Sequence, residues 1–171
     1  SILGTNFKIE FSKQDGMIST LEYLGVPVLK DGPKTNLWRA PLDNDVHLKK
    51  EWVEAGYDRL VSNPLTFSYT FLNDRTVQID STYTMGANGE GICFYLSNQY
   101  RIYGNGEIDV TTSIKPVANR SLPPLPRFGV SLKMADEFNQ FSWFGLGPHE
   151  CYSDRKESGR LGVYKGTVEE Q

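Results

Sequence analysis

Apolar side chains recur at every second position in this chain, and they do so between turn signals. Leu65, Phe67, Tyr69 and Phe71 alternate with polar residues and run into Asn73-Asp74. Phe7, Ile9 and Phe11 do the same ahead of Asp15-Gly16, and Ile18 to Tyr23 reads as the return. A period of two sends successive side chains to opposite faces of a strand, and turn dipeptides reverse the chain. Val77 to Thr84 answers the Leu65 row. The glycine-rich stretch Gly86 to Gly91 reads as a wide turn into a long strand, Ile92 to Tyr103. Gly104-Asn105-Gly106 closes it, and Glu107 to Lys115 pairs back. The pattern predicts an all-β chain of antiparallel hairpins, in sheets with one wet face and one buried face.

One helix is expected. Leu48, Glu51, Trp52 and Ala55 share a face at helical spacing, and Gly56 can take the positive φ of a helix end. Pro116 to Pro126, with Pro123-Pro124 and Pro126, is expected to be extended and stiff, crossing from one sheet to the other. No internal repeat and no domain boundary is visible, so residues 1–171 read as a single domain. A chain of 171 residues can bury a real core, and 12% aromatics make that core lean on rings. Eighteen basic against 21 acidic residues leave a net charge of −3, which argues against nucleic acid as a partner. No apolar stretch approaches the roughly 20 residues that cross a bilayer, and Ser1-Ile2-Leu3-Gly4 lacks the charged start and apolar run of a signal peptide. The compartment is left open. Cys93 lies in an apolar strand pattern and reads as a buried thiol; Cys151 is open to the same reading, and two distant cysteines do not make a disulfide framework.

Two dense runs stand out. Asn36-Leu37-Trp38-Arg39-Ala40-Pro41-Leu42-Asp43-Asn44-Asp45 crowds acids, an amide and an arginine around a proline that has no N–H for a sheet. It reads as an irregular loop leaving a strand. The other is Trp143-Phe144-Gly145-Leu146-Gly147-Pro148-His149-Glu150-Cys151-Tyr152-Ser153-Asp154-Arg155. With Asn6 to Phe11, Trp52 to Gly56 and Leu125 to Gly129, these strings resemble the C-terminal β-sandwich, or small-chain region, of the long β-galactosidases in glycoside hydrolase family two. The resemblance implies an antiparallel supersandwich like that of galactose mutarotase, with one short helix. It implies that the chain is the N-terminal part of that sandwich, truncated at its C-terminus. One departure is that Val46-His47-Leu48-Lys49-Lys50 leads almost at once to Glu51-Trp52, where some members carry a longer loop bordering the sugar site.

The family's reaction is retaining hydrolysis of terminal β-D-galactosides, which needs two carboxylates about 5–5.5 Å apart. The resemblance places both on a (β/α)₈ barrel preceding this region. The expectation is therefore no catalytic residue and no glycosidase activity in this chain by itself. The implied partners are the catalytic barrel and, in the parent, the galactoside, with self-association of the piece as a further expectation. The Mg²⁺ or Na⁺ associated with the parent family is implied to bind mainly in the barrel. His47 and His149 have no ligand-spaced partners, so no metal or cofactor is expected here. The alternative is a stand-alone mutarotase-like sugar-binding module or aldose epimerase.

The candidate carbohydrate-facing residues are Arg39, Asp43, Asn44, Asp45, His149 and Glu150. For the first cluster the favoured reading is structural: a loop aspartate accepts backbone N–H bonds, tying a turn or capping the helix near Leu48, and Arg39 pairs with one of the acids. His149-Glu150 invites comparison with the histidine and glutamate of mutarotases, yet neighbours in a strand face opposite sides. A partly exposed histidine after a Gly-Pro bend is favoured, with Glu150, Asp154 and Arg155 in a salt-bridged loop. Trp38 and Trp143 could stack on sugars, but core packing is favoured for both.

Overall fold

The computed structural model describes residues 1–149, 151 and 156–170. They form two compact units, Ser1–Lys133 and Met134–Gln171. Among the described residues there are twelve strands, all pairing antiparallel where the register is defined, and one α-helix. The expected all-β class is what forms. The first unit begins with β1 (Ile2–Leu3), β2 (Phe7–Phe11), β3 (Ile18–Tyr23) and β4 (Val26–Pro27), a small sheet in that order. Next come β5 (Leu29–Asn36) and α1 (Val46–Glu54). A large meander follows: β6 (Leu60–Asn73), β7 (Thr76–Ala87), β8 (Gly91–Tyr103) and β9 (Ile108–Pro116). β10 (Gly129–Met134) then pairs with β5.

The turns fall where the sequence placed them, with one refinement. The Gly86 to Gly91 turn is tighter than expected, because β7 runs on to Ala87 and β8 begins at Gly91. The Pro116 to Pro126 segment does cross between sheets, carrying the chain from β9 to β10. α1 ends as its sequence says: Gly56 sits at φ 76°, just past the last helical turn.

One face of the large sheet carries the core. Val77, Ile79, Tyr83 and Met85 of β7 register with Ile102, Tyr100, Leu96 and Phe94 of β8. At one end the face packs on the small sheet through Phe7, Ile9 and Ile18. At the other it packs on Leu37, Trp52 and Tyr57. Between the two apolar clusters lies a polar belt. Ser81 faces Asn98 across the ladder, both buried. The Tyr83 hydroxyl lies 2.6 Å from Thr35 Oγ1, and Asn98 Nδ2 donates to the Tyr100 hydroxyl at 3.3 Å. Buried hydroxyls and amides need such partners, because an unpaired one costs its desolvation outright; the Ser81 hydroxyl is the exception, buried with no hydrogen-bond partner among the described residues.

β6 departs from the expected burial. Its alternating row is apolar, but Leu65, Tyr69 and Phe71 are 58%, 64% and 74% exposed and Phe67 is half-buried. The small sheet covers β7 and β8 and reaches this edge strand at Phe67, whose ring centroid lies 6.0 Å from that of Phe11 on β2.

The second unit is a hairpin of β11 (Gln140–Gly147) and β12 (Arg160–Thr167). Trp143 lies opposite Tyr164, and with Phe141 these rings pack at centroid distances of 5.5 and 5.2 Å. Trp143 thus packs among rings but is only half-buried, in a two-stranded hairpin rather than in the buried core expected for it. Phe144, Leu146, Leu161 and Val163 are exposed.

Candidate functional site

The loop after β5 is built by short-range chemistry. Asn36 Oδ1 accepts the Trp38 N–H at 3.0 Å and turns the chain off the strand, while Asn36 Nδ2 donates to Ser131 Oγ on β10 at 3.1 Å. Leu37 is buried at 2% exposure. Trp38 packs edge-on against Trp52, with ring centroids 6.2 Å apart. Pro41 keeps the next residues out of the ladder. The chain then makes one 3₁₀ turn, Asp43–Asp45, and enters α1.

Arg39 and Asp45 are brought together as a fork. Nη1 donates to Oδ2 at 2.5 Å and Nη2 to Oδ1 at 2.9 Å. The planar guanidinium matches the carboxylate in this bidentate way. Asp45 Oδ2 also accepts the Leu42 N–H at 2.7 Å. The hydrogen bonds from Arg39, then that from Leu42, hold the Asp45 carboxyl below the usual carboxylate range. Arg39 reaches further: Nε donates to the Pro126 carbonyl at 2.9 Å, and the guanidinium lies 5.4 Å from the Trp52 ring centroid. The tethering expected for this cluster is therefore carried by Asp45, and Arg39 is its half-buried partner. The expected helix cap is not made. Asp45 stands at the N-cap position of α1, but its side chain turns back to Leu42 and Arg39 and makes no cap bond.

The prolines complete the site's foundation, and this the sequence reading missed. Trp52 Nε1 donates to the Pro124 carbonyl at 2.8 Å, and the Tyr57 hydroxyl to Pro123 at 2.9 Å. With Arg39 on Pro126, three donors from the loop and helix region grip one extended segment. The available signal was that Pro-Pro-x-Pro offers carbonyls and few N–H groups, so its backbone can be held mainly through acceptance. Burial pushes the Tyr57 hydroxyl pKa up to about 12, with Cys93 adding to this and Arg120 opposing it. Cys93 is the fully buried thiol expected; Cys151 is only half-buried, because it lies in the segment following β11 rather than inside the sheet.

The remaining candidates are placed as follows. Asp43 and Asn44 are exposed on the 3₁₀ turn beside the fork, and His47 is exposed on α1. His149 is exposed in the second unit, its carbonyl 3.3 Å from Cys151 Sγ. Glu150, Asp154 and Arg155 lie outside the described residues. Among the described residues no three His, Cys, Asp or Glu side chains cluster as a metal site. No described helix is long and apolar enough to cross a membrane.

Residues 3–171 match the family model described as β-galactosidase small chain. The β-galactosidase of Clostridium acetobutylicum is 34% identical over 172 residues, covering 96% of this chain and 18% of the relative. That of Vibrio cholerae serotype O1 is 32% identical over 181 residues, covering 99% and 17%. That of Actinobacillus pleuropneumoniae is 30% identical over 164 residues, covering 96% and 16%. The chain thus spans about a sixth of the length of these curated relatives. A match along almost every residue, falling on the loop, helix and proline segment that hold one another, leads to one conclusion: the chain belongs to the β-galactosidase small-chain family.

Proposed function

We propose that this chain is a non-catalytic part of a retaining β-galactosidase, one that packs on the catalytic barrel and borders the pocket for a terminal β-D-galactoside. The observation that carries the reading is the Arg39–Asp45 fork, tied to Pro126 and Leu42. A carboxylate held by three donors is a poor nucleophile and a poor proton carrier, since every lone pair facing the loop is occupied. Arg39 and Asp45 therefore fix the backbone. Asp43 and Asn44, exposed on the same turn, are the side chains we assign to meet a sugar or the barrel. His149 and Glu150 are a second candidate pair for the pocket border. Any Mg²⁺ or Na⁺ that the parent uses is assigned to the barrel, because the buried acid of this loop is already committed to Arg39.

The test uses the parent and the chain side by side. In the full-length enzyme, Asp43→Ala is expected to raise KM for a nitrophenyl galactoside about threefold to tenfold with kcat little changed, the signature of lost uniform binding. Asp45→Ala is expected to reduce the yield of soluble enzyme instead. The chain alone is expected neither to release nitrophenol nor to speed the mutarotation of α-D-galactose. Accelerated mutarotation would replace this reading with a stand-alone epimerase.

A further inference from the structure

The dipeptide Asn-Gly occurs twice, at Asn88-Gly89 and at Asn105-Gly106, each time in a turn of the large sheet. Asparagine is among the chemically labile residues. Before a glycine it is at its most exposed to attack, because the glycine nitrogen can reach the side-chain carbonyl carbon with no Cβ in the way. Ring closure demands an unengaged glycine N–H, an unengaged side-chain amide and a backbone with room to rotate. The fold meets these demands at one site and denies them at the other.

Between β7 and β8 the Glu90 N–H donates to the Ala87 carbonyl at 3.1 Å, which makes Asn88 and Gly89 the central residues of the reversal. Both are exposed. Among the described residues, neither the Gly89 N–H nor the Asn88 side chain makes a hydrogen bond. A Cβ placed on Gly89 would meet no atom within 4 Å. Between β8 and β9 the same dipeptide is locked. The Gly106 N–H donates to the Tyr103 carbonyl at 2.9 Å, and Asn105 Oδ1 accepts the Glu107 N–H at 3.1 Å. Gly106 is buried against Phe7 and Tyr23, and the Tyr23 hydroxyl donates to its carbonyl.

We propose that Asn88 is a site of spontaneous covalent modification, converting to aspartate and isoaspartate, while Asn105 persists. The Gly89 nitrogen bonds to Asn88 Cγ and gives its proton to water. The Cγ–Nδ2 bond breaks, and Nδ2 leaves as ammonia. Water then opens the cyclic imide at one carbonyl or the other, giving aspartate or isoaspartate without any change of oxidation state. Either product sets a carboxylate two residues from Glu90, whose own carboxylate holds Arg59 Nη2 at 2.5 Å. Arg59 Nη1 in turn donates to the Val53 carbonyl, in the last turn of α1, at 3.0 Å. The modification therefore acts on the link between this turn and the helix. The inference rests on the two turns and stands apart from the proposed enzymatic reading.

The folded chain is incubated in mildly alkaline buffer, and both sites are followed by peptide mapping with mass spectrometry. The amide-to-acid mass gain, with an isoaspartate doublet, is expected in the peptide holding Asn88 at least about tenfold faster than in the peptide holding Asn105. Asn88→Gln, whose longer side chain closes a larger and slower ring, should remove the signal without touching the rate at Asn105. In urea, where neither turn exists, the two rates should become about equal, because the local sequences are alike. Equal rates in the folded chain, a faster reaction at Asn105, or a preference for Asn88 that survives unfolding would overturn the proposal.

Discussion

At Asp45 one carboxylate answers three donors, two from Arg39 and one from the Leu42 backbone. Its pKa is depressed, so the stabilisation is present above the unfolded-state value of about 3.9 and is lost as the pH falls through the lower folded value. Asp45→Asn removes the charge at every pH. The substituted chain is expected to melt roughly 5 °C lower at pH 7, with the gap closing below about pH 4. Scanning calorimetry at stepped pH checks it, and a gap that widens in acid would contradict the assigned sign. That an acid in this loop would bond to backbone and to Arg39 was legible from residue types alone. Which acid does so was not, since Asp43 and Asp45 differ only in where the 3₁₀ turn aims them.

On the scale of elements, α1 is short and weakly amphipathic in sequence, and it holds its place through Trp52. The indole is 2% exposed, donates to Pro124, and lies edge-on to Trp38. Trp52→Ala is expected to cost about 3–5 kcal/mol. Trp52→Phe keeps a ring but leaves the Pro124 carbonyl without this donor, for about 1–2 kcal/mol from that bond alone. Urea unfolding of both variants gives the comparison, and equal losses would mean that the indole N–H contributes nothing. β5 shows the opposite case, an element hidden in its sequence. Gly32 and Pro33 break the strand pattern, and Pro removes a ladder donor. The strand forms by pairing with β10, and it passes close to β3: a Cβ at Gly32 would sit 1.7 Å from the Ile18 carbonyl oxygen. Only a glycine permits that approach.

Across the whole molecule, the buried tyrosines couple the fold to alkaline pH. Burial raises the hydroxyl pKa values of Tyr57 and Tyr100 to about 12 and raises that of Tyr83. Since the unfolded value is about 10, the stability these groups contribute is present below pH 10 and is lost as the pH rises from there toward 12. Absorbance at about 295 nm follows tyrosine ionisation. The buried ones should ionise only as circular dichroism reports loss of the fold. Ionisation of Tyr57, Tyr83 and Tyr100 near pH 10, with the sheet signal intact, would contradict the burial described. Tyr83 and Tyr100 also form the polar belt with Asn98, which separates the two apolar clusters on the sheet face.

By itself the sequence determined the strands of the meander, their turns, the single helix and the kinship of the chain, because period-two alternation, turn glycines and long motif strings are all local properties. Tertiary structure decided which alternating rows are buried. β7 and β6 read alike in sequence, yet one is covered by the small sheet and the other is an open edge. It also decided that three proline carbonyls are gripped by Arg39, Trp52 and Tyr57. The physical reason is the same in both cases: burial and hydrogen-bond pairing depend on what arrives from a distant part of the chain, and sequence spacing carries no record of that arrival.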